Sequence, residues 1–326
     1  MTAWSSRNVL ITGGLGFVGS NLAHRLVEEG ASVTLLDASL PHLGSNPTNV
    51  EGIRSAVTVD ESDVRDRDAV EKRVENADVV YHCAAQNDRS HARNHPRTDV
   101  DINARGTVNV LEAARSVETP PRVVYTSSLA VYGRVSDPPV DESTPVDPID
   151  LYGANKRASE HYCGIYTRIE DVPTVVCRLP NVYGPRAAPD KGYGIQATFP
   201  AMAVRGETLT VFEPGTTQRD LLYVGDAVDA LEMLGTDDRA IGETYVLGSG
   251  EPTTLAELAR ASVEIAGSGE VEMVPWPAEW KTLSRGDVYT DPSKIVETLG
   301  WHPTVGLEEG LTETIDFYRE HEAAYL

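Results

Sequence analysis

The sequence predicts an α/β fold, in which a Rossmann-type, doubly wound parallel sheet is joined to a smaller mixed α/β lobe. Short apolar runs alternate with amphipathic stretches through the first half of the chain. These runs are continuously apolar, as is typical of parallel strands that helices cover on both faces. A glycine cluster joins the first run directly to the first helical stretch, and 326 residues suffice for two lobes that share a cleft.

The order of the elements follows from the same patterns. Helices are predicted after Gly16, from about Asp66, from about Thr98 and from near Leu151, whereas the proline- and acid-rich segment 137–150 is predicted to be a loop. The predicted strands are NVLIT, SVTLLD, AVTVD, ADVVYHCAA, RVVYTSS and PTVVCRL. Residues 1–180 are therefore predicted to form the larger lobe. Shorter elements, broken by GPRAAPDKGYG and FEPGTTQ, predict that residues 181–326 form mainly the smaller lobe, with residues 220–240 returning to the first.

Charge and composition narrow the classes of partner. The chain has 50 acidic and 28 basic residues and a net charge of −22, so its field repels nucleic acid and anionic lipid, and neither is expected to bind. No apolar run approaches the roughly 20 residues that cross a bilayer, and no basic leader precedes the first run. A cytoplasmic protein without a membrane span is therefore expected. The acid-rich, lysine-poor balance is typical of proteins from salt-loving archaea, which predicts a halophilic protein.

The cysteines and one histidine are interpreted as packed side chains. Cys83, Cys163 and Cys177 lie in apolar surroundings without C-x-x-C spacing, which favours buried free thiols over a metal or redox site. His82 ends a strand run, and a packed polar side chain is favoured there over a ligand or a base. No metal site is expected.

The glycine cluster TGGLGFVG has G-x-x-G-x-x-G spacing at Gly13, Gly16 and Gly19. Taken alone, such a turn either holds a phosphate at the helix N-terminus or only reverses the chain. Asp37 ends the next strand run, about 20 residues further on, where a carboxylate accepts hydrogen bonds from ribose hydroxyls and repels a 2′-phosphate. The pair of features predicts a dinucleotide site that favours NAD over NADP.

Eight motifs, in order, are similar to those of one known family. They are TGGLGFVG, SDVRD, HCAAQ, DINARGTVNVLEAAR, VVYTSSLAVYG, YGANK, RLPNVYGPR and QRDLLYVGDA. Together they resemble the extended short-chain dehydrogenase/reductases, in the branch of NAD-dependent nucleotide-sugar epimerases and dehydratases, over nearly the whole chain. The resemblance implies NAD as cofactor, a nucleotide sugar as substrate and a homodimer. The dimer would form through a four-helix bundle of the helices that start near Thr98 and Leu151.

The resemblance also implies a set of cofactor-binding residues. Asp63 and Val64 are expected beside the adenine, and Pro180 near the nicotinamide. Ala84 and Ala85 are expected beside the ribose and pyrophosphate. Asn103 is expected at a support position below the cofactor, or equally as a structural helix residue. The full expected set is Gly13, Gly16, Phe17, Val18, Gly19, Asp37, Asp63, Val64, Ala84, Ala85, Gln86, Asn103, Tyr152, Lys156 and Pro180.

Three residues are expected to carry the chemistry. Tyr152 and Lys156 are four apart and share one face of a helix, where an ammonium beside a phenol, together with the positive nicotinamide, is expected to lower the tyrosine pKa. Tyr152 would then act as a base. The resemblance implies that Lys156 also holds the nicotinamide ribose, and that the Ser128 hydroxyl binds the reacting sugar oxygen. Ser127 is expected to point to the opposite face of its strand.

The residues after Ser128 bear on the type of reaction. By resemblance, 4,6-dehydratases carry an Asp-Glu pair where this chain has Leu129 and Ala130, which transfer no protons. Elimination of water is therefore disfavoured, and 4-epimerisation through a transient 4-keto sugar is expected, most simply of UDP-glucose and UDP-galactose. Two alternatives stay open: an epimerase or dehydratase for another nucleotide sugar, and a relative that binds NAD without catalysis.

The substrate side is also assigned by resemblance. Asn181 is expected to contact the nucleotide sugar, and Arg219 and Arg285 are expected to bind its diphosphate, for which guanidinium groups are well suited. Two segments depart from the family pattern. NDRSHARNHP, which lines the expected sugar pocket, has a DRS that resembles some dehydratases, and RGDVYTDPSK is shorter than usual. The sugar and the nucleotide base therefore stay unassigned.

Overall fold

The computed structural model describes residues 2–189, 194–277 and 285–326, and its main feature is a seven-stranded parallel sheet. The strands are β1 Asn8–Thr12, β2 Ser32–Leu36, β3 Val57–Asp60, β4 Val79–His82, β5 Arg122–Ser128, β6 Thr174–Leu179 and, from later in the chain, β10 Thr244–Val246. Their order is β10-β6-β5-β4-β1-β2-β3. The predicted doubly wound sheet is thereby confirmed, and its order reverses between β1 and β4, where ligands bind in such sheets.

Helices cover both faces of this sheet because the strands carry apolar side chains on both faces. On one face, Ile11 and Leu35 pack in the core that includes α1 and α8; on the other, Leu10 and Leu36 pack in the core of α2, α5 and α6. The helices are α1 Phe17–Glu28, α2 Arg67–Val74, α3 Arg89–Asn94, α4 Pro96–Val100, α5 Gly106–Ser116, α6 Leu151–Ile169, α7 Ile195–Val204, α8 Val224–Thr236, α9 Leu255–Ala266, α10 Ser293–Leu299, α11 Leu307–Glu320 and α12 Glu322–Tyr325.

Local capping explains where the predicted helices begin. Asp66 accepts a hydrogen bond from the backbone N–H of Ala69 and starts α2, and Asp150 accepts one from Gly153 and starts α6. The helix expected from about Thr98 differs from the prediction. It begins at Pro96 and passes through a π-helical turn, Asp101–Arg105, before α5. Residue spacing alone does not signal that turn.

The later part of the chain forms two smaller sheets. One contains β7 Asn181–Tyr183, β9 Gln218–Tyr223 and β11 Pro252–Thr254, and the other pairs β8 Thr208–Phe212 with β12 Glu270–Val274. Within 220–240, α8 packs on the large sheet, as expected, whereas β9 pairs in the smaller one. The predicted loop 137–150 holds no helix or strand beyond a bridge from Val140 to Thr290. Residues 190–193 of the predicted loop GPRAAPDKGYG lie outside the described residues.

A buried ion pair ties α6 to the sheet. Arg178, in β6, donates to both carboxylate oxygens of Glu160 in α6, at 2.8 and 2.9 Å, and both side chains are at most 5% exposed. Ser127 donates to the same carboxylate at 2.7 Å. Burial would raise the pKa of Glu160, but the bonds from Arg178 outweigh that effect and lower it. The contacts fix α6 against β5 and β6.

Loss of one partner of this pair should be costly. Glu160→Ala leaves the Arg178 charge buried without its carboxylate, so we expect the free energy of unfolding to fall by about 3–5 kcal/mol in urea denaturation. Arg157→Ala is the matched control, because Arg157 contacts the same carboxylate from a side chain that is 31% exposed, and its loss should cost at most about 1 kcal/mol. Equal losses in the two variants would contradict this account.

Candidate active site

The glycine turn brings two strand ends into close contact. Gly13 has a φ of +70°, and a Cβ there would lie 2.7 Å from the backbone nitrogen of Ala84, at the end of β4. A Cβ at Gly19 would lie 2.4 Å from the carbonyl oxygen of Gly13, so α1 packs directly on the turn. Gly16 is the N-cap of α1, and no side chain caps it. The N–H groups of this helix end lie beside the crevice between β1 and β4, which Gly16, Phe17 and Val18 line, and a helix N-terminus in that place suits phosphate binding.

Two carboxylates lie at the edge of this crevice. Asp37 is buried and accepts hydrogen bonds from the N–H groups of Leu15 and Ser39, both at 3.0 Å. Burial raises the pKa of Asp37, against the lowering effect of these bonds. Burial would also raise the pKa of Asp63, but its bonds from Arg65 outweigh that effect and lower it. Each Asp37 oxygen has one backbone donor and so retains capacity to accept a ribose hydroxyl.

Beneath the crevice, Gln86 and Asn103 form a support instead of a lining. Asn103 exchanges two hydrogen bonds with the backbone of Gln86, at 3.0 and 2.9 Å. The Gln86 side chain is buried and donates to Asp99, and neither Gln86 nor Asn103 lines the cavity. Asn103 thus lies below the cavity and supports the backbone of Gln86. The Gln86 amide donates to Asp99 and to the Asp88 carbonyl.

Tyr152 and Lys156 share the cavity-facing side of α6. The buried Lys156 Nζ donates to the carbonyl of Thr126 at 2.8 Å, and it lies 5.9 Å from the centre of the Tyr152 ring. Burial lowers the pKa of Lys156 to about 8. The expected lowering of the tyrosine pKa includes the charge of the nicotinamide, and the side chains of the chain alone do not produce it, because burial raises the pKa of Tyr152 to about 12. Hydrogen bonding by Ser128 and the charge of Arg285 oppose that rise, whereas the lysine ammonium is directed at a carbonyl.

The sequence analysis missed three arginines of the cavity wall. Arg89, Arg93 and Arg134 line the cavity, besides the Arg219 and Arg285 that it named. Arg89, in α3, is the one that acts on those two. Arg89 forms an ion pair with Asp150 at 2.6 Å, and the charges of Arg89 and Arg219 add to burial in lowering the pKa of Arg285 to about 10. Arg89 belongs to the segment NDRSHARNHP, so the departure from the family pattern was its only sequence signal.

A single cavity of about 1250 Å3 joins these groups. Ser128, Leu129, Pro180 and Asn181 line it between the crevice and the arginines. The amide of Asn181 donates to Gln196 at 3.0 Å. Sequence reasoning also missed the aromatic pair Phe212 and Trp276, whose ring centres are 4.8 Å apart at the far end. The expected site residues that line the cavity are Gly13, Gly16, Phe17, Val18, Gly19, Asp37, Asp63, Val64, Ala84, Ala85, Ser128, Tyr152, Lys156, Pro180, Asn181, Arg219 and Arg285.

Other polar and nucleophilic groups are bound within the fold. His82 is buried between the hydroxyls of Thr12 and Thr107, and burial lowers its pKa to about 3, so it is a packed neutral side chain. All three cysteines are free, and burial raises the pKa of Cys83 to about 12. Within the described ranges, no group of three or more His, Cys, Asp or Glu side chains is arranged to hold a metal ion. None of the described helices has the length and apolar character needed to cross a membrane.

Several known proteins are similar to this chain in sequence and in fold. The profile described as "NAD dependent epimerase/dehydratase family" matches residues 9–248. A UDP-glucose 4-epimerase from Mycolicibacterium smegmatis is 34% identical over 318 residues, which cover 95% of this chain and 98% of that protein. The structure of UDP-glucose 4-epimerase from Thermotoga maritima with UDP-glucose has a TM-score of 0.88 at 29% identity, covering 97% of this chain and 99% of that one. Its counterpart from Thermus thermophilus, in complex with NAD, has a TM-score of 0.85 at 31% identity, covering 96% and 99%.

Members that carry out other reactions match nearly as well. UDP-glucuronic acid decarboxylase 1 from Xenopus tropicalis is 30% identical over 326 residues, which cover 97% of this chain and 74% of that protein. Overall similarity therefore does not distinguish an epimerase from a decarboxylase. That distinction depends on the side chains that line the cavity.

Asp37 gives a direct test of the crevice. Asp37→Asn removes a carboxylate that is placed to accept hydrogen bonds from ribose hydroxyls. We therefore expect NAD affinity, measured by isothermal titration calorimetry, to fall about 10- to 100-fold, as loss of a charge-assisted hydrogen bond implies. The preference for NAD over NADP should narrow, because repulsion of the 2′-phosphate is lost. Asp60→Asn is the control, since that carboxylate ends β3, accepts from Ser62 and Arg73, and does not line the cavity. Unchanged NAD affinity in Asp37→Asn would rule out the assigned role.

Proposed function

Because the chain belongs to the NAD-dependent epimerase/dehydratase family, and NAD is therefore its cofactor, we propose that it is a nucleotide-sugar 4-epimerase. UDP-glucose and UDP-galactose are the proposed substrates. The observation that carries the proposal is the placement of Tyr152, Lys156 and Ser128 on one cavity wall, with Leu129 beside them where a dehydratase would place an acid. UDP-glucose 4-epimerases among the relatives support the choice of nucleotide and sugar.

The residues of the crevice fit the dinucleotide. The N-terminus of α1, whose residues Gly16, Phe17 and Val18 line the cavity, would direct N–H groups at a pyrophosphate, and the close approach of Gly13 to Ala84 leaves no room for a side chain at that turn. Asp37 would hold the adenosine ribose, and Lys156 the nicotinamide ribose. When bound, NAD supplies reversible hydride transfer at C4 of the sugar.

The side chains of the chain itself would then handle the proton. Tyr152 would take the proton of the C4 hydroxyl as that carbon is oxidised, and would return it when the sugar is reduced on its other face. Ser128, at the end of β5, would donate to the same oxygen and so hold it beside the phenol. Arg219 and Arg285 would hold the diphosphate while the keto sugar turns over.

Leu129 and Ala130 support epimerisation over elimination. Both are buried, and neither side chain gives or takes a proton. Loss of water needs an acid and a base on the sugar, besides the tyrosine. The alternative, an epimerase or dehydratase for another nucleotide sugar, is favoured by one observation: Arg89 and Asp150 form an ion pair on the cavity wall, in the segment that departs from the family pattern.

Tyr152→Phe with a substrate panel tests the proposal. Purified protein should interconvert UDP-glucose and UDP-galactose without added reductant, as followed by NMR, and Tyr152→Phe should lower the rate about 100- to 10,000-fold, the usual contribution of a general acid–base group. Tyr289→Phe is the matched control, because the Tyr289 hydroxyl donates to the carbonyl of Pro138 at 3.4 Å and the residue does not line the cavity. Its activity should equal that of the wild type.

Three outcomes of the panel separate the candidates. Turnover of a dTDP-, GDP- or CDP-sugar in preference to UDP-glucose would replace the substrate. A 4-keto-6-deoxy product would establish a dehydratase. Bound NAD without turnover of any nucleotide sugar would establish a binding protein, and a fully active Tyr152→Phe would reject the mechanism.

We also propose the domain boundary and the homodimer that the sequence suggested. The boundary lies near residue 180, where the chain passes from β6 of the large sheet to β7 of a smaller one. For the dimer, α6 packs beside α5 and exposes apolar side chains on its outer face, with Ile165 at 41% and Ile169 at 70%. A second copy that covers these side chains would form a four-helix bundle. Cytoplasmic location and adaptation to salt stay predictions from composition.

Charge on this face should separate the subunits. Wild-type protein should elute with twice the chain mass of 35.3 kDa in size-exclusion chromatography with light scattering, and Ile165→Glu with Ile169→Glu should elute with that mass alone. Burying two glutamates against each other without partners is unfavourable. A monomeric wild type would contradict the dimer proposal. Thermal unfolding of the variant checks that it is folded.

A further inference from the structure

Asp99, in α4, is a buried carboxylate that the proposed reaction does not use. Its exposed fraction is 0%. Its side-chain partners are amides: Gln86 and Asn103 donate to Oδ1 at 2.9 and 3.0 Å, and Asn155 donates to Oδ2 at 2.6 Å. No cation within the described ranges lies within ion-pair distance of it.

Burial of the Asp99 carboxylate at such a site lowers the stability of the fold. Amide donors satisfy the lone pairs of a carboxylate but leave its charge, and burying a charge without a counter-ion is unfavourable. Burial raises the pKa of Asp99, while the donors Asn155 and Asn103 and the charge of Lys156 lower it. An uncharged side chain of the same shape would satisfy most of these amides at lower cost, so the charge itself requires an explanation.

Lys156 is the cation whose charge acts on Asp99. Asn155, which donates to Asp99, directly precedes Lys156, and the lysine Nζ bonds to an uncharged carbonyl. The titratable groups around Nζ are Asp99, Glu160, His82, Cys83, Cys163, Tyr125 and Tyr152. Of these, burial keeps the histidine, the thiols and the phenols uncharged at neutral pH.

Only two carboxylates remain in that set. Glu160 is already paired with Arg178 and Arg157, so its charge is neutralised in place. Asp99 has no such partner among the described residues, so its field acts on Lys156. The network also joins three elements, since its amides come from the segment after β4, the π-helical turn and α6.

We propose that Asp99 is a positioning residue: a buried counter-ion that keeps Lys156 charged and, through Asn155, fixes the turn of α6 that carries Tyr152 and Lys156. The consequence of this role for catalysis rests on the proposed function. The effect of Asp99 on the charge of Lys156 does not, because the hydrogen bonds of Asp99 are all made within the protein.

The sign of the effect follows from the charge. A negative charge favours the ammonium, so Asp99 raises the pKa of Lys156 against the burial that lowers it, and it also raises the pKa of the Tyr152 phenol. Removal of the charge lowers both pKa values. Both limbs of a bell-shaped rate profile would then move to lower pH, which a merely structural change would not do.

The lysine itself can be followed in Asp99→Asn. The chain has only five lysines, so 15N-lysine labelling of the protein without NAD gives few Nζ signals, and the signal that Lys156→Arg removes is that of Lys156. We expect its titration midpoint to fall by about one pH unit in Asp99→Asn. Asn155→Ser is the control: it removes one hydrogen bond but keeps the carboxylate, so it should lower kcat and leave the midpoint in place.

Three results would overturn the proposal. They are an unchanged midpoint in Asp99→Asn, an equal shift in Asn155→Ser, and a Lys156 that is already neutral at pH 7 in the wild type. The last measurement needs no variant, and Asp99→Ser replaces Asp99→Asn if the latter does not fold. Since the titration needs no turnover, it decides the proposal even if the panel of nucleotide sugars shows no activity.

Discussion

The ammonium of Lys156 lies inside the protein, and the elements around it are arranged to hold a charge that costs several kcal/mol to bury. Its Nζ donates to Thr126 at the end of β5. One helical turn after Lys156, Glu160 is bound to Arg178 of β6. Asn155, which directly precedes Lys156, is bound to Asp99. Rotation or sliding of α6 would break all of these contacts together. The phenol on the same helix face is therefore fixed relative to the ends of β5 and β6.

Charge is distributed in opposite senses outside and inside the cavity. The chain as a whole carries −22, and its field disfavours the approach of an anion from a distance. Inside, the charge of Arg89 helps to lower the pKa of Arg219, and the charges of Arg89 and Arg219 help to lower the pKa of Arg285, in each case after the larger effect of burial. A bound diphosphate would relieve that repulsion. Its affinity must therefore come from short-range contacts in a desolvated cavity, which salt screens far less than it screens the surface field.

What the sequence could predict is what local spacing determines. The glycine turn, Asp37 and the shared face of Tyr152 and Lys156 depend on strand and helix periods, and the structure places them on one cavity. The direction of the Gln86 side chain, the π-helical turn and the Arg89 ion pair depend on residues 13 to 61 positions away or on backbone geometry that no residue spacing encodes. The Asp99 network was missed for the same reason, because its three donors come from separate elements.

The pKa of Tyr152 shows what the side chains of the chain do by themselves. Burial raises this pKa to about 12, while the Lys156 ammonium donates to the Thr126 carbonyl. A phenol with that pKa is protonated at neutral pH. Ser128 and Arg285 lower it, yet Arg285 is also a proposed diphosphate ligand, and an anion bound there would reduce its effect on the phenol. A base role for Tyr152 therefore depends on further positive charge, which the oxidised nicotinamide would bring to the crevice.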